Sequence, residues 1–197
     1  GDLMASRWAY EALVVNQFKN NNYEKYFYDV QRESANLLYE LNFLIPAINN
    51  KIYDYKRIPK DEYGSPEYLK TMALIRNSIG EIGSLNYDNF LIKDSLISID
   101  TELLSNALAG RRRFLIRETN ILDAEKEEII QDMFDSGLSQ DDFIKLKSEN
   151  YNKTIADLVL NNSELIKVKE KGERFIRKDS PIYQYPNSNA GRAQFYS

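Results

Sequence analysis

Residues 24–55 read EKYFYDVQRESANLLYELNFLIPAINNKIYDY. Phe27, Val30, Leu37, Leu41 and Leu44 recur at intervals that place them on one stripe of an α-helix. Pro46 lacks the amide proton that a helix interior needs, so the spacing predicts a kink or a restart there. Beyond it, Ile48 and Ile52 continue the helix to about Tyr55. The same period runs upstream, where Trp8, Ala12, Val15 and Phe18 mark a helix over 5–19. Asn20, Asn21 and Asn22 separate the two, and Asn22 is placed to cap the second.

Downstream, Pro59 and Gly64 mark a loop, and Ser65-Pro66-Glu67 is a strong helix start. Leu69, Met72, Ile75, Ile79 and Ile82 form its stripe, and Gly80 and Gly83 weaken its end. Residues 84–99 fit short helix or short strand. Asp100 and Thr101 cap a helix through Leu104, Leu108, Leu115 and Arg117, and a further helix starts near Asp123. Gly137 reads as a left-handed terminator, and Ser139 caps a helix carrying Phe143, Ile144, Tyr151, Ile155 and Leu158. Ser163 opens a last helix with Leu165, Val168, Phe175 and Ile176. From Ser180 the chain becomes proline- and tyrosine-rich and is expected to be extended over 180–197. The expectation is an all-α fold over 1–197, an irregular bundle of about seven to nine helices in a single domain.

Composition narrows the chemistry. The chain has 197 residues, neither cysteine nor histidine, and a net charge of −4. Thiol catalysis, disulfides and histidine-based hydrolysis are therefore excluded, and a global basic footprint for nucleic acid is missing. A carboxylate-only hydrolase remains, because paired acids cleave glycosides. Glu125, Glu127, Glu128 and Asp132 read as a solvated acidic face rather than a metal site. Arg111, Arg112, Arg113 and Arg117 form a basic patch whose members point in different directions on a helix. Lys167, Lys169, Lys171, Arg174, Arg177 and Lys178 make the last segment basic, a solvated face or one near lipid headgroups. No strand–glycine–helix pattern for a phosphate occurs at Gly110, Gly172 or Gly191. No catalytic, cofactor-binding or metal-ligating residue is expected. The 14 tyrosines read as packing first and as a sugar-binding or interfacial set second.

The two ends carry the most specific pattern. Arg7, Tyr10, Glu11-Ala12-Leu13 and Asn16-x-Phe18 resemble the segment that follows the fifth transmembrane helix in White-type (ABCG-like) ABC transporters. The likeness is to bacterial members, of the kind found in Bacteroidetes, that fuse ATPase and permease in one chain. Tyr185-Pro186-x-Ser188-Asn189-x-Gly191-Arg192-Ala193-x-Phe195-Tyr196 resembles the stretch leading into the sixth. The helical middle matches nothing comparable.

This resemblance implies an extracytoplasmic loop domain on the periplasmic face of the inner membrane, with further natural chain upstream of Gly1. Its partners would be the transmembrane domain of the same polypeptide, the membrane surface and, through a dimeric transporter, a second copy. ATP and magnesium would be held by a distant cassette, with no cofactor in this part. It would be non-catalytic, supporting substrate exit or docking a partner. Residues 6–18 and 182–196 would lie close together near the bilayer, with Trp8, Tyr10, Phe18, Tyr183, Phe195 and Tyr196 as the candidate membrane- or partner-proximal residues. The alternative is a stand-alone helical binding module for a sugar, peptide or lipid.

Overall fold

A computed structural model of the chain describes residues 2–93, 97–161 and 163–185, with the side chains of 2–5, 7 and 8 outside the description. The expected Phe195 and Tyr196, and the Trp8 side chain, therefore lie outside the described residues. The described chain is mostly helical and forms two compact units. The first unit draws on Gly1–Asn36, Thr119–Leu165 and Lys178–Ser197; the second on Leu37–Glu118 and Ile166–Arg177.

In the first unit, helix α1 (Asp2–Lys19) buries Glu11, Val14 and Phe18 on one face. The break comes at the asparagines, but Asn21 rather than Asn22 caps α2 (Glu24–Tyr39). Its Oδ1 accepts from the Tyr23 and Glu24 amides at 2.9 and 2.7 Å, and its Nδ2 donates to Phe18 O at 2.8 Å. One side chain thus closes α1 and opens α2, which Asn22 is one residue too late to do.

Pro46 does restart the helix, by an unusual route. Glu40–Leu44 winds as a π-helix, and α3 (Ile45–Lys56) follows directly with Pro46 in its first turn. The Ile45 amide donates to Glu40 O, five residues back. The wider turn makes room for the proline ring, which removes one amide donor from the ladder.

The second unit continues with α4 (Pro66–Glu81), capped by Ser65 Oγ accepting from the Tyr68 amide at 3.2 Å. Leu69 departs from the expected stripe and is exposed, while Tyr68 is buried. The ambiguous stretch 84–99 is a 3₁₀ turn over Tyr87–Phe90 followed by paired strands β1 (Leu91–Lys93) and β2 (Ile97–Ile99). A tyrosine group holds this hairpin to the helices. Tyr68 Oη donates to Ile97 O at 2.7 Å, and the Ile99 amide donates to Tyr55 Oη at 3.0 Å. Tyr63 stacks on Tyr68 with centroids 4.6 Å apart.

Three expectations about helices are corrected. The two helices expected on either side of 118–122 are one, α5 (Thr101–Asp135). No proline or glycine interrupts that junction, and a continuous helix satisfies its backbone at no cost. The single helix expected after Ser139 is two, α6 (Gln140–Asn150) and α7 (Lys153–Leu160), because Asn152 recaps the chain by accepting from the Ile155 amide at 3.1 Å. The last expected helix is a β-hairpin, β3 (Val168–Lys171) with β4 (Arg174–Arg177). Gly172 takes φ +63° at the first of two turn positions, the place a right-twisted hairpin requires. Phe175 enters the core of the second unit, and the Glu170 carboxylate meets Lys51 at 2.9 Å and Lys70 at 3.2 Å. Lysine and glutamate favour helix locally, and these tertiary contacts override them. Among the described residues the chain is mostly helical, as expected, and departs from an all-α bundle in carrying two small antiparallel sheets.

The C-terminal segment is also not uniformly extended. Pro181–Tyr183 forms a 3₁₀ turn with all three residues buried. Gly137 terminates α5 as expected, at φ +101°.

Two glycines of the second unit should respond oppositely to alanine. Gly172→Ala forces an L-residue into the left-handed region and should cost about 1–2 kcal/mol. Gly110→Ala, in the interior of α5 with only the flexible end of Arg113 at 3.8 Å, should stabilise by about 0.5–1 kcal/mol. Urea midpoints that move in opposite directions for the two variants check this.

Candidate functional site

The described parts of the two ends meet in the first unit. Asn161 ends α7 at φ 52°, and its Nδ2 donates to Lys178 O at 2.8 Å. The Ser180 amide donates to Leu160 O at 3.2 Å. The returning chain then seats Ile182 and Tyr183 among Val14, Phe18, Tyr28, Ala156 and Val159. Tyr28 Oη donates to Ile182 O at 2.9 Å, and Asn36 Nδ2 donates to Tyr183 O at 3.0 Å. Phe18 meets the Tyr183 ring edge-on, with centroids 6.3 Å apart.

Of the residues singled out at the ends, Phe18 and Tyr183 are thus brought together, and both are buried inside their own unit. The contacts that join them also take them away from any outer surface. Tyr10 is 57% exposed on α1, and beside it Leu13 is 61% exposed. Tyr10 and Leu13 are the exposed large apolar side chains of α1 among the described residues, with exposed Ala9 and Ala12 beside them.

Beside the junction lies a cleft of about 430 Å³, lined by Gln17 and Phe18 of α1, Asn21, Glu24 at the start of α2, and residues 149–153 between α6 and α7. Its volume falls in the range of small-molecule sites. Asn21 and Asn152 spend their Oδ1 atoms on helix caps, which fixes them rigidly on the wall. The Tyr151 side chain is about half exposed at the rim.

Glu24 is the residue that sequence reasoning missed. Asn21-x-x-Glu24 has the spacing of a capping box, in which the glutamate would turn back to the cap. Its carboxyl instead turns inward, and Glu24 is 8% exposed. Burial pushes its pKa above 4.5, against the lowering effects of a Gln31 hydrogen bond and the charges of Lys126 and Lys147. Oε2 has no hydrogen-bond partner among the described residues. The signal was present in the period: Glu24, Phe27, Tyr28 and Gln31 share the buried face of α2.

The second unit holds its own cleft of about 380 Å³, lined by Lys51, Asp54, Arg57, Lys70 and Glu170 among others. Four of its charges, Lys51, Asp54, Lys70 and Glu170, are spent on one another. Lys51 bridges Asp54 at 3.2 Å and Glu170 at 2.9 Å, and these hydrogen bonds hold the Lys51 ammonium up and the Glu170 carboxyl down. The arginine run divides as its spacing predicts. Arg111 makes a bidentate pair with Glu40 at 2.7 and 2.8 Å, while Arg112, Arg113 and Arg117 are exposed. The acidic residues Glu125, Glu127, Glu128 and Asp132 are exposed.

Much of the tyrosine content goes into packing. Tyr23, Tyr28, Tyr39, Tyr55, Tyr68, Tyr87 and Tyr183 are buried, and burial pushes Tyr87 up to about 12. Among the described residues no group of histidine, cysteine, aspartate or glutamate side chains is arranged to hold a metal ion, and no helix is long and apolar enough to cross a membrane.

Tyr28→Phe leaves the Ile182 carbonyl without its buried donor and should cost about 1–3 kcal/mol of unfolding free energy. Tyr10→Ala, at an exposed position, should stay within about 0.5 kcal/mol. Chemical denaturation of the two variants beside the parent checks the contrast. No protein-family model, no curated protein and no solved structure matches the chain.

Proposed function

We propose that the chain is a non-catalytic, extracytoplasmic domain inserted between two membrane helices of an ABC-type exporter, where it supports substrate exit or docks a partner. The observation that carries this reading is the meeting, in one compact unit, of the described parts of the chain's two end segments, Phe18 against Tyr183. An insert between neighbouring membrane helices must return to the membrane surface it left. Its entering and leaving segments therefore belong side by side. The exposed Tyr10 and Leu13 on α1 supply an amphipathic surface suited to a bilayer interface or to the transmembrane helices. ATP and magnesium would act elsewhere in the full polypeptide, and a second copy would come with the transporter dimer. The fused-chain resemblance of residues 6–18 and 185–196 favours this reading over others with converging ends.

A second reading, a binding module for a small polar molecule, is favoured by one observation. The cleft beside the junction gathers Gln17, Tyr151 and the buried Glu24 on a wall braced by helix caps.

The coding DNA on either side of this chain separates the two. The insert reading expects an apolar stretch of about 20 residues at each border and a phosphate-binding loop far upstream. A start codon immediately before Asp2 or a stop codon immediately after Ser197 contradicts it and leaves the binding module.

A further inference from the structure

Helix α5 runs for 35 residues, and one stripe of it sorts charge by position. Phe114, Arg117, Ile121, Glu125 and Glu128 follow one another at steps of three and four residues, with Arg113 on the flank. All six are exposed, Ile121 at 59%. Leu108, Leu115 and Leu122, seven residues apart on another side of the helix, are buried. The four charged groups of the stripe make no ion pair or side-chain hydrogen bond among the described residues. Arg111, by contrast, is spent on Glu40.

The charges are segregated along the axis. Arg113 and Arg117 are neighbours at a spacing of four, and Glu125 and Glu128 at a spacing of three. Opposite signs at those spacings stabilise an isolated helix, and like signs cost it stability. Each half of the stripe therefore repels itself and attracts the other half's sign. A surface of that kind matches itself once a second copy is reversed. Turned end for end about Ile121, Arg117 meets Glu125 of the second copy. Arg113 and Phe114 then face the turn that carries Glu128, and Ile121 meets its own counterpart. Two-fold symmetry makes every such contact twice. Parallel pairing would instead set arginine against arginine and acid against acid.

We propose that α5 is a self-association surface, on which two copies of the chain pair antiparallel about Ile121. Arg113 and Arg117 of each copy lie against Glu125 and Glu128 of the other, with Phe114 and Ile121 as the apolar centre. The paired stretch covers about 22 Å of helix. Exposed ion pairs are individually weak, so the dimer is reversible and sensitive to salt. The contact is made by α5 alone and stands or falls apart from the exporter reading.

Sedimentation equilibrium of the full 197-residue chain tests it. The parent should dimerise below about 1 mM, with a dissociation constant that rises at least about tenfold between about 0.05 and about 0.5 M sodium chloride. A variant carrying Arg113→Glu and Arg117→Glu should stay monomeric, as should one carrying Glu125→Arg and Glu128→Arg. Mixed, the two should associate, because one stripe is then wholly acidic and the other wholly basic. Circular dichroism shows that each variant is folded. Should a reversed variant fail to fold, Arg117→Gln and Glu125→Gln replace the pair, and each should raise the parent's dissociation constant about threefold or more. A parent that is monomeric at about 1 mM overturns the proposal, as does a dimer indifferent to salt. Charge-reversed variants that still dimerise alone, a mixture that stays monomeric, or glutamine variants that bind as the parent does overturn it equally.

Discussion

The seating of Tyr183 on α1 and α2 is the interaction on which the first unit depends. A tyrosine ring buried at this depth brings a hydroxyl that must find a partner. Gln31 supplies it, Tyr28 and Asn36 take the neighbouring carbonyls, and Phe18 closes the ring's flank. These contacts join residues separated by about 150 positions. They tie the segment after α7 to α1 and α2, beside the hydrogen bonds that hold it to the end of α7. Loss of such a non-local contact set is felt at once, because its ordering entropy is recovered only when the whole set forms.

The second unit rests on a different constraint, the proline in the middle of its long helical run. Pro46 demands relief, and the π-turn at Glu40–Leu44 provides it. The same turn carries Glu40 to Arg111 of α5 and Tyr39 beneath the Arg177 guanidinium, 4.4 Å from its ring. A local backbone irregularity thus positions two side chains that join α5 and β4 to the helix before α3. The ion pair is 17% and 14% exposed, so breaking it would leave a poorly solvated charge behind.

Much of this was legible where the controlling chemistry is local. The break before α2, the Ser65-Pro66 start, the Asp100 and Ser139 caps and the Gly137 terminator each depend on a few adjacent residues. The misreadings fall where distant contacts decide. The segment 168–177 has helix-forming lysines and glutamates, yet the core takes Phe175 and Glu170 finds two lysines from other elements. The cap expected at Asn22 is made by Asn21, and Glu24, which drew no reading, is turned inward by the packing of α2. At the candidate site the same division holds. Phe18 and Tyr183 were marked as belonging together, and they touch, but the contact faces their own core; exposed Tyr10 is left on the outside.

The central claim is that the entering helix and the leaving segment of the chain lie side by side. The chain has no cysteine, so two labels can be introduced without background. Leu13 and Tyr185 are exposed, at 61% and 55%, one on α1 and the other two residues past Tyr183. Spin labels on Leu13→Cys and Tyr185→Cys, measured by pulsed dipolar spectroscopy, report their separation. The account predicts a single narrow distribution within about 30 Å, roughly the thickness of a bilayer core. A broad distribution, or one centred well beyond that length, would contradict it.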